Sequence, residues 1–207
     1  MFEKRAYNFR NILITFVSIL FMGISICVLK MVDYGMDSFT YMNVSIAGRV
    51  GWTLGNWQMI LNIILFIPVI FWGRKQIGLG TVLNMVMIGY TVDLFTWIFG
   101  FTNLEKCLEV FAVRVLVMLI SLVVFVFAAA FYMSTELGTS PFDALPLMIH
   151  EKLSGVPFKF VRFAWDFCAV LIGFAFSRQI GIVTILMVLT LGQTIEFVRN
   201  KFFPKKN

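Results

Sequence analysis

The residues able to do chemistry in this chain are ionisable groups set inside otherwise apolar runs. Asp166 lies within the run Phe160–Phe176, four positions after Arg162. At that spacing the two share a helix face and can pair. A charge held in an apolar helix is costly, so it marks either a self-satisfied ion pair or a carboxylate that meets a solute or a coupling ion. Asp93 and Glu196 form a second set, each two positions after a threonine, Thr91 and Thr194. Acidity in both places suggests ion coupling along a symmetric route, or caps that pair near a membrane surface. A third set opens two short segments: Gly35, Asp37 and Ser38, then Gly138, Ser140 and Asp143. The N–H groups at such helix starts suit an anionic group such as a carboxylate, and the acidic residue in each leaves a cation open. Asn62 adds an amide in the run Trp57–Trp72, and Gln58 lies one turn earlier on the same face. Asn84, an amide in the third run, is read as interhelical glue.

Other chemistries lack an anchor. His150, beside Glu151 and Lys152, has no triad partner near it in sequence, and there is no HExxH, GxSxG or Walker loop. Cys27 and Cys168 lie in apolar runs and Cys107 in a connection, without a CxxC or a Cys/His cluster. No catalytic residue, metal or cofactor is expected, and the chain does not read as an enzyme.

What positions these residues is an internal repeat. Gln76-Ile77-Gly78-Leu79-Gly80-Thr81-Val82-Leu83 recurs 103 positions later as Gln179-Ile180-Gly181-Ile182-Val183-Thr184-Ile185-Leu186. The register continues without a gap from Gly89, Thr91 and Asp93 to Gly192, Thr194 and Glu196, and upstream from Gly35 and Phe39 to Gly138 and Phe142. The units cover about residues 10–98 and 113–201 of a single membrane domain, 1–207.

Sixty per cent of the 207 residues are hydrophobic and 14% are charged. A soluble domain of this size has too little interior to hide that much apolar surface. Each unit reads as three spanning helices of about 20 residues, with a short segment of about 11–13 residues after the first. Such a segment is too short to span, so it is either interfacial or re-entrant. In the second copy Ser140 can cap, Pro141 fits the first helical position, and Asp143 follows the cap by three; in the first copy Asp37 can cap. The fold class is an all-α polytopic membrane protein of six spans in two three-helix repeats. An odd number of spans per repeat inverts one copy relative to the other. Charge placement agrees: with both termini in the cytoplasm, twelve Lys and Arg fall inside and five outside.

The motifs Leu137-Gly138-Thr139-Ser140-Pro141-Phe142-Asp143 and Ile77-Gly78-Leu79-Gly80-Thr81, the latter followed by Gly89 and Asp93, resemble the YczE/YyaS/YitT family of bacterial integral membrane proteins. The first copy departs from that pattern with Ser38 at the proline position and Thr40 at the aspartate position. The second departs with Val183 at the second glycine. The resemblance implies a bacterial plasma-membrane protein and a transporter.

The residues and the repeat together lead to a secondary transporter or permease for a small polar solute, working by alternating access. The alternative is a regulatory or solute-binding subunit of a larger membrane complex. Expected partners are the lipid bilayer, a small-molecule solute, and a second copy or another membrane protein. No basic run interleaved with aromatics suggests nucleic acid.

Overall fold

The structure is a computed structural model describing residues 7–102, 104–153, 155–177 and 179–202. Lys4, Arg5, Arg178, Lys205 and Lys206, which are among the Lys and Arg of the charge distribution, lie outside the described residues. Among the described residues all regular structure is helical. The helices are α1 (Phe9–Val32), α2 (Ser38–Val50), α3 (Leu54–Trp72), α4 (Leu79–Phe99), α5 (Leu104–Cys107), α6 (Phe111–Ser134), α7 (Pro141–Lys152), α8 (Phe158–Ser177) and α9 (Ile182–Phe202). Six of them, α1, α3, α4, α6, α8 and α9, are long and apolar enough to cross a membrane. Their outward faces carry Ile63, Ile64, Ile67, Phe71, Leu116 and Leu119, all exposed. Such a belt suits lipid contact.

The helix starts follow from local chemistry. Asn8, Asp37, Thr53 and Ser140 each stand at an N-cap, and each side chain accepts a backbone N–H three residues on. Pro141 occupies the first position of α7, where the N–H it lacks is not needed.

Helices α1 and α6 form the centre and run antiparallel. Near the start of α1, Thr15 Oγ1 lies 2.8 Å from Thr135 Oγ1 at the end of α6. At the other end, Arg114 Nε of α6 donates to the Val32 carbonyl that closes α1 (2.7 Å). Helix α4 packs beside α1, and α9 beside α6.

The short helices are exchanged between the units: α2 packs mainly on α8, and α7 packs on α3. Most of α2 is buried, including Ser38, Thr40, Asn43 and Ser45. A Cβ added to Gly173 of α8 would sit 2.7 Å from the Tyr41 ring of α2. These polar side chains of α2 are thus enclosed within the protein.

Two matching joints lock the exchange. The Val183 N–H donates to the Tyr34 carbonyl (2.9 Å), and the Gly80 N–H donates to the Leu137 carbonyl (2.9 Å). Both partners of the second bond are the counterparts of those in the first. Gly35 (φ +113°) and Gly138 (φ +121°) make the turns. A Cβ on Gly35 would lie 2.7 Å from the Thr184 backbone nitrogen, and one on Gly138 would lie 2.7 Å from that of Gly78. The repeated Ile-Gly-x-x-Thr sequence is therefore the seat on which the other unit's glycine turn rests. Only glycine combines the positive φ with that approach.

Candidate functional site

The starts of α2 and α7 converge at the centre of the bundle, where the Phe39 and Phe142 rings lie 4.4 Å apart. These are counterpart residues, so the two units meet here. Beside them a chain of polar contacts joins both short helices through α8. Ser38 Oγ donates to Asp166 Oδ1 (2.6 Å). Arg162 Nε donates to Asp166 Oδ2 (2.8 Å), and its Nη1 donates to Asp143 Oδ1 (2.5 Å). Ser140 Oγ donates to Asp143 Oδ2 (2.7 Å) and accepts the Asp143 N–H (3.1 Å). The i, i+4 pair expected on α8 is present, and its arginine also grips Asp143. A guanidinium suits this role because its planar fork serves two carboxylates at once.

A cavity of about 120 Å³ adjoins this chain. Its polar lining includes Asp37, Gln58, Asn84, Ser140, Asp143 and Arg162. Its apolar walls come from α1, α4, α6 and α9, with Ile26, Ile88, Phe125 and Leu191 among them. Asp37 Oδ2 accepts the Thr40 N–H (3.0 Å), while Oδ1 is buried without a hydrogen-bond partner. Gln58 Oε1 is likewise buried and unpartnered. Tyr132 closes one side, its hydroxyl donating to the Gly80 carbonyl (3.3 Å).

The structure thus gathers Asp37, Ser38, Ser140, Asp143 and Asp166 and places the other sequence candidates elsewhere. Gly35 and Gly138 build the joints. Asn62 is buried between α3 and α4, where its Nδ2 donates to the Met85 carbonyl (3.4 Å). Asp93 is spent on the start of α3: its oxygens accept the Leu54 N–H (3.2 Å) and the Gly55 N–H (2.7 Å). Thr91 packs against α1, where a Cβ on Gly23 would come within 2.7 Å of it. Glu196 is exposed, and the exposed Thr194 donates to its own helix at the Thr190 carbonyl (2.8 Å).

Part of each helix start is already occupied. The Thr40 and Asp143 N–H groups are already taken by Asp37 and Ser140, and Pro141 has no N–H to offer. Arg162 and Gln58 are the site members that sequence undervalued. Arg162 entered only as a partner of Asp166, and Gln58 only as a neighbour of Asn62. Both are polar groups within apolar spans, which was the signal available.

Residues 9–200 match a protein family of unknown function, DUF6198. The chain belongs to that family. It is 27% identical over 161 residues to the uncharacterized membrane protein YczE of Bacillus subtilis, covering 78% of this chain and 70% of the relative. It is 26% identical over 194 residues to the uncharacterized protein YyaS of the same organism, covering 92% and 94%. An uncharacterized protein of Haemophilus influenzae is 26% identical over 196 residues, covering 94% of this chain and 84% of the relative. The YczE and YyaS resemblance drawn from the motifs holds, and the chain is a membrane protein. No solved structure matches it significantly.

Proposed function

We propose that this chain is a secondary transporter or permease of the bacterial plasma membrane, moving a small polar solute by alternating access between inverted repeats. One observation carries the reading: a polar cavity sits where the two units meet, and the helix pairs flanking it are in different states. Beside α3, a Cβ on Gly89 would lie 2.7 Å from the Gly55 Cα, and Asp93 fastens α4 to the start of α3. In the other unit, Gly192 of α9 lines the cavity, where a Cβ on it would meet nothing nearer than Arg162 Cγ at 4.0 Å, and Glu196 is exposed. A pair closed in one unit and parted in the other is what exchange between two related halves requires. The antiparallel α1 and α6 support the inversion. The charge distribution supports cytoplasmic termini, so the α8–α9 side faces the cytoplasm and the structure is an inward-facing state.

Proteoliposomes loaded with a bacterial small-molecule extract test transport. Saturable loss of a small polar solute, absent from protein-free vesicles, is the expected result. Retention of every solute would contradict the reading and favour a subunit that acts only within a larger complex. Sided labelling tests the orientation in a variant lacking Cys27, Cys107 and Cys168. Trp52→Cys reacts with an impermeant thiol reagent on intact cells, and Leu153→Cys reacts only in inverted vesicles. Reaction of both from one side overturns the inversion.

A further inference from the structure

We infer that the central cavity binds a small protonated amine, held through Asp37 Oδ1 and Gln58 Oε1. The inference rests on the transport reading for its purpose and on the following geometry for its chemistry.

Both oxygens belong to residues more than nine-tenths buried, with Asp37 8% and Gln58 1% exposed. Both residues line the cavity, and neither oxygen has a hydrogen-bond partner. Buried acceptors left unpaired are costly, and in native proteins they are few. Two residues of one small cavity that each carry such an acceptor call for a ligand that brings donors. The charge count has the same sign. Asp37, Asp143 and Asp166 face one guanidinium, and Arg162 already divides itself between Asp143 and Asp166. Among the described residues, Asp37 has no ion-pair partner. Its carboxylate therefore lacks a counter-ion.

An anion is the wrong complement. A second negative charge beside Asp37 would be repelled, and two of the helix-start N–H groups, those of Thr40 and Asp143, are already spent on caps. An ammonium group supplies both the missing charge and the N–H donors. The rest of the lining suits the body of such a molecule: Ile26, Ile88 and Phe125 offer apolar contact. The volume of about 120 Å³ suits a ligand of about six non-hydrogen atoms, since an apolar cavity of about 150 Å³ takes up benzene.

The test uses the purified full-length protein in detergent with n-butylammonium, tetramethylammonium and butyrate as probes at matched ionic strength. Binding is read by calorimetry and by the shift in melting temperature. Butylammonium is expected to bind saturably. Tetramethylammonium, a cation without N–H donors, and butyrate, an anion, should bind at least about tenfold more weakly, the factor that one well-made buried hydrogen bond supplies. Asp37→Asn should weaken butylammonium binding about tenfold or more. Gln58→Glu should tighten it, an outcome that damage to the fold cannot produce.

Equal binding of butyrate and butylammonium would overturn the proposal. So would butylammonium binding that neither substitution alters, or no butylammonium binding at all, which would leave the two oxygens to water. The proposal fails separately from the transport reading. Amine binding without flux of any solute leaves the site standing and removes the transporter. Saturable flux of another solute without amine binding does the reverse.

Discussion

A Cβ on Gly89 would meet the Gly55 Cα at 2.7 Å, whereas one on Gly192, its counterpart in the second unit, would find nothing nearer than Arg162 Cγ at 4.0 Å. The acids that follow repeat the contrast. Asp93 holds two N–H groups at the start of α3, while Glu196 is exposed. The glycines and acids match between the units, and their surroundings do not. Part of the cause lies in sequence, because Phe158 stands where the first unit has Gly55, and Pro157 stands where it has Leu54. In addition, α9 stands off α8, with the cavity beside them. By contrast, the two joints at Gly35 and Gly138 are alike in bond, distance and φ. The protein combines a fixed, twofold-matched frame with a pair of helix contacts made on one side only.

The frame carries the largest expected effect. Gly35→Ala and Gly138→Ala each force a side chain into a positive-φ turn and against backbone atoms. Each should cost about 3 kcal/mol or more, seen as a lower melting temperature in detergent or as loss of folded protein. The two losses should be similar. A large loss at one joint only would break the equivalence of the units.

The glycines of the helix pairs come next. Gly89→Ala should destabilise by about 1–3 kcal/mol through overpacking on Gly55. Gly192→Ala has room, and it should be neutral or stabilising by up to about 1 kcal/mol from helix propensity. If α8 and α9 close during transport as α3 and α4 are closed here, Gly192→Ala should nonetheless lower flux in proteoliposomes. Unchanged flux in that variant would mean that this pair never closes.

The smallest effect belongs to the acids. Asp93→Ala removes a cap worth about 1 kcal/mol, whereas Glu196→Gln should leave the melting temperature unchanged. Equal losses at both would show that Glu196 holds a contact of its own.

The spans were legible because six apolar runs admit few other readings, and the caps were legible because Asp37, Ser140 and Pro141 act within three residues of themselves. The Arg162–Asp166 pair was legible for the same local reason. What stayed hidden depends on residues far apart in the chain. The repeated glycine and threonine motif invites a functional reading. Its role as a seat for the opposite unit appears only when Gly35 is brought to Gly181 and Gly138 to Gly78. Asp93 looks like a coupling acid until its partners 38 and 39 positions away are known. Sequence equivalence also overstated likeness: Glu196 matches Asp93 in register, yet Pro157 has no N–H to give it. Gln58 gave little warning because an amide in a span is more often interhelical glue than a ligand group.

The most direct test of alternating contacts uses paired cysteines. Tyr90 Oη donates to Asn56 Oδ1 (3.2 Å) across the closed pair, and the counterparts across the parted pair are Lys159 and Gln193. In a variant lacking native cysteines, one introduced pair replaces Asn56 and Tyr90 and another replaces Lys159 and Gln193. A short thiol cross-linker is applied to the protein in vesicles, and doubly and singly bridged molecules are counted by mass spectrometry. With alternating contacts, each pair can be bridged, bridging one protects the other, and either bridge stops flux. Molecules bridged at both pairs in high yield, with flux retained, would contradict that alternation.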